Sequence, residues 1–160
     1  MIKVGIGFDA HQLAAGEELL IGGVKIISDV GSVGHSDGDA LSHAIVDAIL
    51  GAACLGDIGL FFPSDDDTWR DVQSKVFLVD AIKRISDKGY LVNNIDSTVI
   101  LEYPKINKYI PEIKKALSKI MGLDESKISI KATTTDRLGV IGEGIGWASM
   151  AVVSIIEKSE

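Results

Sequence analysis

The stretch Trp147-Ala148-Ser149-Met150-Ala151-Val152-Val153-Ser154-Ile155-Ile156 constrains the fold more than any other part of this 160-residue chain. Side chains alternate across a strand, and here both sets are small or apolar. Ala148, Met150 and Val152 form one set; Ala151, Val153 and Ile155 form the other. Such a strand needs cover on both faces. Helical patterning elsewhere supplies about three helices: one from Ser36 to about Leu55, one over about 71–88 ending at Gly89, and one from Pro111 to near Gly122. Further strands are expected at 2–9, from Tyr90 to Glu102 and from Ile128 to Thr133. Leu19–Ile21 and Val24–Ile27 flank Gly22-Gly23 as a hairpin. The tally predicts an α/β (α+β) two-layer sandwich, with a mixed four- to five-stranded sheet and helices on one face. It forms a single domain over residues 1–160. Three helices cover only one face, so the other predicts an oligomer.

The three histidines, His11, His35 and His43, lie in two stretches: Gly5-Ile6-Gly7-Phe8-Asp9-Ala10-His11 and His35-Ser36-Asp37-Gly38-Asp39-Ala40-Leu41-Ser42-His43. In extended chain Asp9 and His11 share a face, and an imidazole from a nearby helix completes a set of three N/O ligands. Three protein ligands with an open fourth position is the pattern of a catalytic zinc. Three unrelated histidines is the competing reading. Ser36-x-x-Asp39 resembles a capping box opening the first helix. Leu41, Ile45, Ala48, Ile49 and Ala52 mark its core face, while Asp39, His43 and Asp47 recur on another side beside Val46 and Leu50. That second face reads either as a solvated stripe or as one where His43 meets a metal and a carboxylate orients its other nitrogen. Gly5-x-Gly7-x-x-Ala10 matches a dinucleotide fingerprint only formally, because no helix follows it.

Composition narrows the function. A net charge of −7 argues against a nucleic-acid backbone as partner. It also means that a phosphate substrate needs cations between itself and the carboxylates. No apolar run is long enough to span a bilayer, and the N-terminus opens directly into a strand-like segment, so neither an anchor nor a leader peptide is expected. The lone Cys54 reads as a small core residue of an intracellular protein. Gly56 to Asp67 reads as a loop, with Asp67 as solvated surface. No Ser-His-Asp arrangement stands out.

These motifs, with Gly56-Asp57-Ile58-Gly59-Leu60-Phe61-Phe62-Pro63, Pro104-Lys105 and Lys131-Ala132-Thr133-Thr134-Thr135-Asp136, resemble the 2-C-methyl-D-erythritol 2,4-cyclodiphosphate synthases of the non-mevalonate isoprenoid pathway over essentially the whole chain. The resemblance implies closure of a cytidine-diphosphate-linked methylerythritol 2-phosphate into a cyclic diphosphate with loss of CMP. It implies one zinc per subunit on Asp9, His11 and His43, and Mg²⁺ or Mn²⁺ near Asp136, where the family usually has Glu. His35 and Thr134 match residues that stabilise the transition state. Asp9, Ala10, His11, Ser36, Asp57, Ile58 and Gly59 match positions around the methylerythritol phosphate. Phe62, Pro63, Ser64, Asp65 and Asp66 match a mobile flap. Tyr103, Pro104, Lys105, Thr133 and Thr135 match the cytidine side. The resemblance also implies homotrimers with sheets packed around the threefold axis, active sites at subunit boundaries, and a bacterial cytoplasmic or plastid-stromal location. Val140 and Glu143 stand where the family often has Phe and Arg near the trimer axis, which implies weak or no binding of isoprenoid diphosphates there.

Overall fold

Strand β1 (Ile2–Ala15) carries glycines at 5 and 7, and helix α1 (Ala40–Ala52) lies directly on them. A Cβ at Gly5 would stand 2.0 Å from the Ala48 carbonyl oxygen, and one at Gly7 1.9 Å from that of Ala44. These glycines therefore let a helix backbone approach a strand backbone; no phosphate loop is involved. The computed structural model describes residues 1–70 and 72–158.

The remaining elements are β2 (Leu19–Ile21), β3 (Val24–Ile26), β4 (Val30–Val33), α2 (Ile58–Phe61), α3 (Ser74–Asp87), β5 (Tyr90–Ile100), α4 (Ile110–Met121), β6 (Ile128–Thr133), α5 (Gly139–Gly142) and β7 (Gly146–Glu157). The main sheet has the order β4-β1-β7-β5-β6, antiparallel except for the parallel β5–β6 pair. This is the expected mixed sheet with its helical layer, here with five strands. The β2–β3 hairpin stands apart from it. Gly22 and Gly23 turn it with φ of 59° and 78°, left-handed values that suit a tight hairpin connection.

The helices face inward by their apolar spacing. Phe77, Leu78, Ala81 and Ile85 of α3 and Ile113, Leu117 and Met121 of α4 are buried, and Gly122 ends α4 at φ 62°. Along β7, Trp147, Ser149, Ala151, Val153 and Ile155 turn into this core. The opposite face is bare. Ile2, Val4, Ile6 and Phe8 of β1 and Met150 and Val152 of β7 are exposed there, with Ile6 paired to Val152 and Phe8 to Met150. No helix among the described residues is long and apolar enough to cross a membrane.

Several boundaries differ from expectation. Strand β1 runs through Asp9 to Ala15 because β4, not foreseen in the sequence, pairs with Gln12–Ala15. Helix α1 starts at Ala40, with Asp39 as its N-cap accepting from Ser42 N–H. Gly38 at φ 66° breaks any helix from Ser36, so the capping box does not form. The expected start of the second helix at residue 71 lies outside the described residues, and α3 begins at Ser74. One helical turn, α2, forms inside the expected loop because Asp57 caps Leu60 N–H. Cys54 is exposed, beyond the end of α1 at φ 56°, so it is no core residue.

Candidate active site

Strand alternation puts Asp9 and His11 on the helix-covered side of β1 and turns Ala10 to the bare side. His43, in the second turn of α1, is only 8% exposed and comes down onto that pair. Asp9 Oδ2 lies 2.8 Å from His11 Nε2 and 2.9 Å from His43 Nδ1, and the two ring nitrogens are 3.3 Å apart. His11 Nδ1 lies 3.2 Å from the Val33 carbonyl oxygen. A carbonyl only accepts, so Nδ1 carries a proton and Nε2 is the nitrogen turned to the cluster, donating to Asp9 without metal and free to bind a metal once deprotonated. Gly34 keeps the His11 ring close, since a Cβ there would stand 3.3 Å from it.

These three donor atoms fit a metal. Ligand bonds of about 2.0 Å in a tetrahedron place donors roughly 3.3 Å apart, which the imidazole–imidazole distance matches. Asp9, His11 and His43 form such a group, with all ligand atoms within 4.8 Å of one another. Burial alone would raise the Asp9 carboxyl, but hydrogen bonds from His11 and His43 outweigh it and hold Asp9 well below the usual carboxylate range. Burial would lower His11, yet the Asp9 hydrogen bond and charge leave it raised. Burial pushes up the carboxyls of Asp39, the N-cap of α1, and of Asp47 within it. Neither reaches His43. Asp39 is spent on Gly22 N–H, Gly23 N–H, Ser42 N–H and the Ser42 hydroxyl, and Asp47 on Ile58 N–H at 2.7 Å.

The expected carboxylate behind His43 is therefore replaced by hydroxyls. His43 Nε2 faces Ser74 Oγ at 2.9 Å and Ser36 Oγ at 3.2 Å. Ser74, His43 and Asp9 thus do form a Ser-His-Asp arrangement, unseen in the sequence because its members are 31 and 34 residues apart. It is not built for nucleophilic attack, since Ser74 is 1% exposed and already engaged by Asp37.

A cavity of about 310 Å³ opens over the triad, with His35, Ser36, Ile58, Gly59, Phe62 and Ser64 in its wall. Asp57, Pro63, Asp65 and Asp66 belong to the same segment. Trp69 and Phe77 also line it and were missed: Phe62 packs at 4.8 Å and 4.5 Å from their rings. Spacing held the one available signal, because Ser74 and Phe77 are i, i+3 neighbours on α3 and share a face.

The other predicted residues lie elsewhere. Pro104, Lys105, Thr133 and Thr134 line a separate pocket of about 180 Å³. Tyr103 is exposed and precedes a cis peptide bond to Pro104. Asp136 is exposed at φ 52°, its Oδ1 accepting from the Thr134 hydroxyl at 3.3 Å, while Glu102 accepts from Thr135 and Arg137 N–H. Strand register gives the separation. Asp9 is opposite Ser149, Ser149 opposite Val99, and Val99 opposite Ala132. The two pockets thus share one end of the sheet but are three strand spacings apart, roughly 14 Å. Val140 and Glu143 lie exposed on and just after α5.

Residues 2–156 match the model of the YgbB family. The 2-C-methyl-D-erythritol 2,4-cyclodiphosphate synthase of Bacteroides fragilis is 46% identical over 154 residues, covering 96% of this chain and 97% of the relative. The chain belongs to the 2-C-methyl-D-erythritol 2,4-cyclodiphosphate synthase family. Among solved structures, the IspF of Plasmodium falciparum in complex with CDP aligns with a TM-score of 0.87 at 39% identity, covering 99% of this chain and 97% of that one. The bifunctional IspDF of Campylobacter jejuni gives 0.96 at 37% identity; 99% of this chain is covered but only 43% of that longer one. The cyclodiphosphate synthase fold is thus shared over 99% of the chain.

Proposed function

We propose that this chain converts 4-diphosphocytidyl-2-C-methyl-D-erythritol 2-phosphate into 2-C-methyl-D-erythritol 2,4-cyclodiphosphate and CMP, a step in isoprenoid precursor biosynthesis. The convergence of Asp9 Oδ2, His11 Nε2 and His43 Nδ1 over a cavity carries this reading. A 2-phosphate oxygen bonds to the β-phosphorus, the bond from that phosphorus to the bridging oxygen breaks, and CMP leaves with the oxygen. No protein nucleophile takes part, so the residues have to position the chain ends and balance charge. Asp9, His11 and His43 would hold zinc, which when bound would supply Lewis-acid polarisation of the phosphoryl group under attack. Ser36, Asp57, Ile58 and Gly59 hold the methylerythritol end, and the segment from Phe62 to Asp66 closes over it. His35 and Thr134 donate to phosphoryl oxygens as charge develops. Tyr103, Pro104, Lys105, Thr133 and Thr135 seat the cytidine diphosphate end. Asp136 is the carboxylate offered to a Mg²⁺ or Mn²⁺ ion on the diphosphate, and its short side chain suits contact through a water.

The working unit in this reading is a homotrimer of single-domain subunits. Two observations support it. The bare sheet face leaves Ile2, Val4, Ile6, Phe8, Met150 and Val152 in water, each worth about 1.5 kcal/mol or more when buried. The cytidine-side residues also sit too far across the sheet from their own triad. Three sheets packed on these faces, with one subunit's Thr133–Asp136 segment meeting its neighbour's triad, answer both.

Incubation with the cytidine-diphosphate-linked substrate, followed by ³¹P NMR, tests the reaction. CMP and a cyclic diphosphate, lost on chelation and restored by zinc, is the expected result. Release of inorganic phosphate would make the protein a hydrolase instead. A zinc-loaded protein that leaves the substrate unchanged would reduce it to a metal-binding module.

A further inference from the structure

Behind the triad lies a second layer of contacts. Ser74, the first residue of α3, is 1% exposed and places Oγ 2.9 Å from His43 Nε2. Its hydroxyl donates to Asp37 Oδ1, and its backbone N–H donates to Asp37 Oδ2 at 2.7 Å. Gln73, the N-cap of α3, makes no side-chain cap bond. Asp37 therefore caps that helix from a different part of the chain, and a carboxylate there is favoured by the helix N-terminus. The arrangement is directional. Asp37 only accepts, so the Ser74 proton points to Asp37 and the Ser74 lone pair points to His43 Nε2. In the metal-bound state Nε2 then carries the ring proton, and Nδ1 is the nitrogen left to the metal beside Asp9 and His11.

We infer that Ser74, oriented by Asp37, is the positioning residue that fixes the tautomer and ring orientation of His43 for metal binding. This rests on the proposed metal site at Asp9, His11 and His43. Partners of this kind, one bond removed from the metal, typically change metal affinity 10- to 100-fold. Ser36 offers a second hydroxyl to Nε2, but at 3.2 Å, and it stands in the cavity wall. Ser36 therefore has no share in fixing the ring.

Zinc affinity by chelator competition tests this, on intact protein checked by circular dichroism. Ser74→Ala should bind zinc 10- to 100-fold more weakly, Ser74→Thr should restore much of the loss, and Ser36→Ala should stay near wild type. In zinc-loaded wild type the Nε2 proton of His43 should give a slowly exchanging ¹H resonance, which Ser74→Ala should lose. Asp37→Asn keeps the size but cannot accept from both Ser74 donors; it should weaken zinc binding similarly and decides the matter alone if Ser74→Ala does not fold. Wild-type affinity in both Ser74→Ala and Asp37→Asn, with His11→Ala still abolishing binding, would overturn the role of Ser74 and leave the metal site standing. If wild type itself binds no zinc in a His11-dependent way, metal site and positioning role fall together.

Discussion

The triad pocket and the pocket beside β6 are built in opposite ways. Asp9 and His11 are set by strand alternation, His43 by a helix seated on Gly5 and Gly7, and the outer ring nitrogens of both histidines have partners, the Val33 carbonyl for His11 and the Ser74 hydroxyl for His43. The pocket with Thr133, Thr134 and Lys105 lies at the sheet edge, and beside it Asp136 is exposed in a left-handed turn. A site that must hold a metal in fixed geometry needs rigid supports on several sides. A site that meets a flexible nucleotide and a neighbouring subunit needs an open edge. In the proposed trimer, one copy of the chain thus carries a finished half-site and an unfinished one.

The largest effect should come from the finished half. His43→Ala should lower turnover by on the order of 10³-fold or more and remove zinc. Its far-UV circular dichroism should stay native, because the core face of α1 is untouched. A collapsed spectrum would mean that His43 is structural. Mixing then tests how the halves combine. His43→Ala and Thr134→Ala chains, each nearly inactive alone, should recover activity when dissociated and reassociated together. Random pairing puts an intact triad opposite an intact Thr134 in roughly a quarter of sites. Zero recovery, in mixtures shown by mass spectrometry to have exchanged subunits, would place the whole site within one chain.

A smaller effect is expected from Asp136→Ala. The Mg²⁺ concentration for half-maximal rate should rise about 10- to 100-fold, while zinc content stays near one per chain. Loss of zinc in that variant would show that Asp136 also helps to hold zinc and that the two cation sites are not separate.

The sequence carried most of the fold because its signals were local: alternation in β7, the Gly22-Gly23 hairpin, Pro111 and Gly122 bracketing α4. It also carried the triad, since Asp9-x-His11 needs only strand geometry and His43 only a nearby helix. Contacts made across the fold were not legible. Asp37 reaches Ser74 over 37 residues, and Trp69 and Phe77 join Phe62 only once α3 packs on α1. Strand β4 was hidden because Val30-Gly31-Ser32-Val33 is short, and it pairs where a Cβ at Gly31 would come within 2.2 Å of Glu18 backbone.

The smallest effect bears on the triad itself, through the pH dependence of stability with and without metal. In chelated protein Asp9 and His11 hold each other. The raised pKa of His11 means that its contribution is fully present below its ordinary 6.5 and is lost as pH rises through the raised value. The depressed pKa of Asp9 means that its contribution is present above about 4 and lost as pH falls through the depressed value. Chelated protein should therefore lose stability between pH 6 and pH 8.5. The loss should be no more than about 1 kcal/mol, because both side chains are partly open to water. Zinc-loaded protein should do the opposite, because the metal needs unprotonated imidazoles and binds more tightly as protons leave. Urea midpoints at the two pH values, with and without chelator, should thus move in opposite directions, and His11→Ala should flatten both. If the two forms move together, the protons that respond to pH are not those of the metal ligands, and the contrast between a rigid metal half-site and an open nucleotide half-site loses its electrostatic support.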